Sequence, residues 1–273
     1  MVWRVFKCNT ISQEALVLLD YHVHALAHGE YSYTRDWIDR YIDCAHQVGV
    51  EEIGFCEHDE FIHLIDLDLF KSIRDTGRHN IKLKLGLELD FTMDREELIP
   101  ESIPTAEYDY IIGSVHFIDG WGFDHPDHKS GYDDRDIDEI YHRYTEILMA
   151  SSACRQFDIV GHIDLVKIWG HRPRRKSVLA YLDPVLKSIK YHGLAVEINS
   201  GGLRKPVGEL YPSSAIVERM YDYDIPVTLG SDAHHPEQIG SGLIEAYRCA
   251  RRAGYQRCVT FSRRVMTVVP LQY

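Results

Sequence analysis

The chain has 273 residues, 45% of them hydrophobic, and a formal net charge of −12. That length suits one α/β barrel, and the apolar fraction supplies a full core. The acidic balance repels phosphate backbones, which excludes nucleic acid as a default partner, and no run approaches the ~18 apolar residues of a membrane span.

Val17–Tyr21 reads as a buried strand. Thr34 can cap a helix carrying Trp37, Ile38, Tyr41, Ile42, Ala45 and Val48 on one face, stopped by Gly49. Ile53–Cys56, Ile81–Asp90 and Tyr110–Gly113 read as the second, third and fourth strands. Gly120–Tyr132, with His125 and His128, reads as a long active-site loop. A helix follows, with Ile137, Ile140, Tyr141, Tyr144, Ile147 and Leu148 at helical spacing. Asp158–Val160, Leu194–Ile198 and Ile225–Gly230 are strands five to seven, separated by helices around 178–192, 213–223 and 236–253. Arg257–Phe261 closes or edges the sheet in this reading. Regular β-α alternation implies parallel strands with crossover helices. One domain is expected over 1–273, with its motif-bearing core at about 15–262.

Six cysteines are present, without a C-x-x-C pair or a disulfide framework, so reduced thiols and a cytoplasmic location are expected. Met1–Asn9 agrees, since Arg4 and Lys7 stand among isolated apolar residues rather than ahead of an apolar run.

Each strand runs into a metal-ligand residue type near its C-terminal end. His22 and His24 do so after the first strand, Asp232 and His234 after the last, and Glu57-His58, Glu88, His116, His162 and Glu197–Asn199 between them. Strand ends converging on one barrel face would bring these side chains together. His22 and His24 are two apart, so they point the same way on a strand and can share an ion. Imidazoles and carboxylates without thiolates suit Zn²⁺, Mn²⁺ or Fe²⁺.

The stretches DYHVHALAHGE, GFCEHDEF, GLELDF, DYIIGSVHFIDGWGFDHP, DIVGHIDLVKI, EINSGGLRKPVGELYPS and PVTLGSDAHHPEQIG span residues 20–240. Together they resemble the PHP (polymerase and histidinol phosphatase) superfamily, and most of all its monofunctional histidinol-phosphate phosphatases. The resemblance implies a distorted (β/α)₇ TIM-like barrel holding three divalent ions, with zinc, manganese and iron all open. Carried over by motif, His22, His24, Glu88 and Asp232 would hold the first ion. Glu88 would bridge to a second, completed by His116 and His162, and His28, His58 and His234 would hold the third. The chain departs from the family pattern at the first loop, where the histidine often lies six residues after H-x-H. Here His28 lies four after His24 and Glu30 takes the sixth place, so either can be the ligand; His28 is our choice.

The implied activity is hydrolysis of a small phosphate monoester by a metal-bridging hydroxide, with L-histidinol phosphate the first substrate to expect. Another small phosphate ester or a nucleotide is the alternative, and a metal-binding regulatory protein a third reading. Asp232 would also orient the nucleophile, and His234 is a further catalytic candidate. Arg204, after Gly201-Gly202, is the best phosphate-gripping guanidinium, with Lys167 and Arg172 next. Glu209 and Asp124 would suit the substrate's ammonium or imidazole. The oligomeric state stays open.

Overall fold

The computed structural model describes residues 18–94 and 107–271. Val17 and the Met1–Asn9 segment lie outside them. The strands in chain order are β1 (Leu18–Val23), β2 (Val50–His58), β3 (Lys82–Asp90), β4 (Tyr110–Ser114), β5 (Phe117–Ile118) and β6 (Trp121–Gly122). They continue with β7 (Ile159–Val160), β8 (Ala195–Asn199), β9 (Val227–Gly230), β10 (Arg257–Ser262) and β11 (Val265–Pro270). The helices are α1 (Arg35–Val48), α2 (Leu67–Arg74), α3 (Ile137–Ala153), α4 (Val178–His192), α5 (Ser214–Asp222) and α6 (Leu243–Ala253).

Seven strands form one parallel sheet in the order β1-β2-β3-β4-β7-β8-β9. Its two edges meet at the parallel bridge Val23↔Ala233, where His24 N–H donates to the Ala233 carbonyl at 2.8 Å. The result is a nearly closed α/β barrel. Asp20 ties the same seam from its side chain, accepting from the backbone N–H groups of Ser231 (2.8 Å) and Gly240 (2.9 Å).

The helices begin and end where the sequence dictates. Thr34 Oγ1 accepts from Trp37 N–H at the start of α1, and Gly49, at φ 79°, ends it in the left-handed conformation that glycine adopts without penalty. Ser177 caps α4 in the same way through Ala180 N–H. Buried Ile38, Tyr41, Ile42 and Ala45 pack α1 onto the barrel.

A layer of large rings lies beneath the barrel mouth. Tyr110 fills it, donating to the Tyr21 carbonyl at 2.8 Å with ring centroids 4.8 Å apart. A Cβ at Gly54 or Gly86 would overlap the Tyr110 ring, so both positions require glycine. Arg257–Phe261 does not edge the barrel sheet as expected. It pairs with β11 in a separate antiparallel ribbon, and Phe261 joins the ring layer, 6.3 Å from Tyr21 and 6.2 Å from Tyr110. The reason is local: Arg263 and Arg264 adopt positive φ and turn the chain back on itself. The Gly120–Tyr132 loop carries the end of a second small ribbon, β5-β6, and a 3₁₀ turn at Pro126–Tyr132. Among the described residues, no helix is long and apolar enough to cross a membrane.

Candidate metal centre

Glu88, near the end of β3 and 1% exposed, stands at the centre of the mouth. Its Oε2 lies 3.4 Å from His22 Nε2 and 3.5 Å from His24 Nε2. Asp232 Oδ1 faces the same two nitrogens at 3.9 and 3.7 Å. In a tetrahedral zinc site, bonds of ~2.0–2.2 Å put ligand atoms roughly 3.3–3.6 Å apart. These four atoms form a first nest, in which the two Glu88 contacts fall in that range and the two Asp232 contacts lie just beyond it. The other carboxylate oxygen, Oε1, faces His162 Nε2 at 3.0 Å and His116 Nε2 at 3.7 Å, and those two nitrogens are 3.3 Å apart. A third nest opens outward, where His58 Nε2 and His234 Nε2 are 3.5 Å apart. The His28 ring stacks against His234 (4.7 Å) and His58 (5.4 Å). Glu30 stays beside it, accepting from His28 N–H at 2.6 Å. His24 also falls within reach of His58 and His234, so the first and third nests share a wall.

The backs of these imidazoles are held by acceptors. Glu197 accepts from His22 Nδ1 at 2.7 Å, from His162 N–H at 2.6 Å and from Asn199 Nδ2 at 3.0 Å. Asp90 pairs with His116 Nδ1, and the Asp232 carbonyl lies 3.1 Å from His234 Nδ1. Such partners fix which ring nitrogen points at a metal. Glu57, beside His58, turns away and accepts from Ala25 N–H (2.9 Å) and Leu26 N–H (3.0 Å), shaping the loop after β1. In the sequence Glu197 stands at a strand end with no evident task, and nothing near Asp90 marks it as a partner of His116. The alternation of side chains on β8 was the available signal, since Glu197 and Asn199 share a face.

His22 Nε2 and His24 Nε2 are buried without a hydrogen-bond partner, and Glu88 Oε2 beside them faces His58 Nδ1 at 2.9 Å. Converging buried polar atoms of this kind are costly unless a cation joins them, so the residues fit a divalent ion. The charge pattern agrees. Burial would raise Glu88, but His22, His58 and His116 hold it well below the usual carboxylate range, and Asp232 is held low by His22, His234 and His24. Burial and the neighbouring imidazoles keep His24 well below the ordinary histidine range and bring His234 down to about 4, which leaves both neutral and able to ligate. Cys56 reaches toward His22 and His24, but burial pushes its thiol well up, so it stays protonated. Asp232 itself sits at φ 57°, an uncommon backbone conformation for a non-glycine residue and one that gathers at functional sites.

The expected substrate contacts occupy the rim unequally. Arg204 is exposed, and its Nη2 donates to the Ser231 and Asp232 carbonyls at 2.8 Å each. Lys167 is buried, with Nζ 2.8 Å from Asp164 Oδ2 and 3.1 Å from Glu209 Oε2. Arg172 holds the other Glu209 oxygen at 2.7 Å. Lys167, Arg172 and Glu209 therefore satisfy one another and clasp the loop after β7 to the loop after β8. Asp124 is half-buried, close enough to His116 for its charge to help hold that imidazole protonated.

Fold and site together define a β/α barrel with a cluster of candidate metal ligands at its mouth. Residues 20–201 match the PHP domain model, and the chain belongs to that family. A probable histidinol-phosphatase of Deinococcus radiodurans is 37% identical over 187 residues, covering 68% of this chain and 70% of its own. A histidinol-phosphatase of Lactococcus lactis is 26% identical over 267 residues, covering 89% and 94%. The crystal structure of the Lactococcus lactis histidinol phosphate phosphatase with zinc, L-histidinol and phosphate superimposes with a TM-score of 0.72 at 22% identity, over 92% of this chain and 98% of that one.

Proposed function

We propose that this chain is a divalent-metal-dependent phosphomonoesterase that converts L-histidinol phosphate and water to L-histidinol and phosphate in histidine biosynthesis. The observation that carries the reading is the Glu88 carboxylate, whose two oxygens face two separate nests of imidazoles. The names of its relatives supply the substrate. His22, His24, Glu88 and Asp232 would hold one ion, Glu88, His116 and His162 a second, and His58, His234 and His28 or Glu30 a third. Zinc is the first ion to test, with manganese and iron next. Such ions supply an acidified water as nucleophile and positive charge for the phosphoryl oxygens.

The chain's own groups do the rest. Arg204 keeps N–H donors beyond those used on Ser231 and Asp232 and presents them at the rim, where a guanidinium fork matches a phosphate. Its anchorage on the Asp232 carbonyl links phosphate grip to the position of a ligand carboxylate. Glu209 is already paired with Lys167 and Arg172, which leaves Asp124 as the carboxylate for the substrate's ammonium. A cytoplasmic location goes with this reading.

The test is phosphate release by protein reconstituted separately with Zn²⁺, Mn²⁺ and Fe²⁺. L-histidinol phosphate should be turned over with a higher kcat/KM than an aryl phosphate or a nucleoside monophosphate. Equal turnover of all three would remove the pathway assignment and leave a general phosphoesterase.

A further inference from the structure

The nests differ in how completely the protein builds them. His22 and Glu88 are 0% and 1% exposed, whereas His58 and His234 are 20% and 22% exposed and His28 is 66% exposed. The inner nests contain the carboxylate oxygens of Glu88 and Asp232. The outer nest offers two imidazole nitrogens of its own, His58 Nε2 and His234 Nε2, 3.5 Å apart, and shares His24 with the first inner nest. The backs of those two rings already face the inner carboxylates, His58 Nδ1 at 2.9 Å from Glu88 Oε2 and His234 Nδ1 at 3.5 Å from Asp232 Oδ1. His28 lies over His234 as a ring stacked from outside, on a loop whose Ala27 and Gly29 adopt positive φ.

Ligating imidazoles bring no charge to offset a dication, and the outer nest has no buried carboxylate like those of the inner nests; Glu30, beside His28, is 58% exposed. A tetrahedral site there needs further donors, and the rim is open to the anionic group that arrives from solvent. On the metal-dependent reading above, we propose that the outer ion and the phosphoryl group bind cooperatively. The outer position is exchangeable in the resting protein and is completed by phosphoryl oxygens, with His28 closing over it. The inner positions are occupied whether or not phosphate is present. Linkage makes the effect reciprocal: whatever factor phosphate adds to the outer ion's affinity, that ion adds to phosphate affinity.

The experiment titrates metal-free protein with Co²⁺ at micromolar concentration, with and without inorganic phosphate. It follows the visible cobalt bands and the cobalt retained through desalting. The inner equivalents should be retained in both conditions, and one more only with phosphate, with its affinity raised about 10–100-fold, within the usual span of coupling between sites. His28→Ala should keep the inner equivalents and lose the phosphate-linked one. His28 is exposed, so the variant should fold, and circular dichroism checks that it does. Glu30→Gln repeats the test on the neighbouring carboxylate, and the phosphate-linked equivalent should survive it. Equivalents of equal affinity, indifferent to phosphate, would overturn the proposal. So would a phosphate-linked equivalent that survives His28→Ala. Protein that binds no cobalt at all would instead overturn the metal-dependent reading itself.

Discussion

Replacing Glu197 with glutamine changes one oxygen to NH₂ and nothing in size. The carboxylate accepts on both oxygens, from His22 Nδ1 at 2.7 Å and from His162 N–H at 2.6 Å. An amide has only one acceptor oxygen, so either orientation sets two donors face to face. If the NH₂ points at His162, the clash is with a backbone N–H that cannot change, and an unsatisfied buried donor costs about 1–3 kcal/mol. If it points at His22, the imidazole escapes by moving its proton to Nε2. That nitrogen is the one aimed at Glu88 and Asp232, so the proton then occupies the position a metal ion needs. Losing an outer partner of a ligating histidine weakens metal affinity about 10–100-fold, which is about 1.4–2.7 kcal/mol. We expect Glu197→Gln to lower Zn²⁺ affinity by that factor in competition with a chromophoric chelator, with a matching fall in kcat/KM. Wild-type affinity together with wild-type turnover would refute the claim that Glu197 sets the His22 tautomer.

Glu88→Gln should lose bound metal and activity together, since a neutral amide is a poor bridge between cations; unchanged metal content by elemental analysis would count against the bridge. Arg204→Ala should retain metal but lower kcat/KM by about 10–100-fold, the worth of a charge-assisted hydrogen bond of ~1.5–3 kcal/mol. Metal affinity should rise with pH. Burial opposes charge on His22 and His116, but Glu197 and Asp90 outweigh it and hold both well above the ordinary histidine range, so an arriving cation must displace their protons. Titrations between about pH 6 and 8 check this. The same two groups stabilise the metal-free chain fully below the unfolded histidine value of about 6.5, and that contribution is lost as pH rises through their raised folded values. Gly86→Ala drives a methyl into the Tyr110 ring, and overpacking of this kind should cost about 1–3 kcal/mol in thermal unfolding without changing the ligands.

The barrel was legible because its signals are local. Caps such as Thr34 and Gly49, and apolar runs ending in histidine or carboxylate, lie within a few residues of one another. The clustering of His22, Glu88, His162 and Asp232 followed once those runs were taken as parallel strands. What escaped depends on pairings across the fold. Lys167 reads as a mouth cation, yet Asp164, three residues earlier, draws it inward, and Glu209 holds it there. Asp90 reads as the last residue of a strand, and its partner His116 is 26 positions away. Arg257–Phe261 has the composition of a barrel strand, and its separation depends on the Arg263–Arg264 turn.

The meeting of β1 with β9 also bears on how the protein opens and when it is finished. β2 and β3 pair over seven consecutive residues, from Glu52↔Lys82 to His58↔Glu88, whereas β1 meets the segment just after β9 at the bridge Val23↔Ala233. His22 and His24 flank one side of that join, Asp232 and His234 the other. An ion held by both pairs would be a rivet across the seam, and hydrogen exchange at Ser231, Ala233 and His24 should slow when it is set. A nascent chain could not set it until residue 234 has left the ribosome, so on the proposed metal-dependent reading metal capture would mark the completion of the barrel.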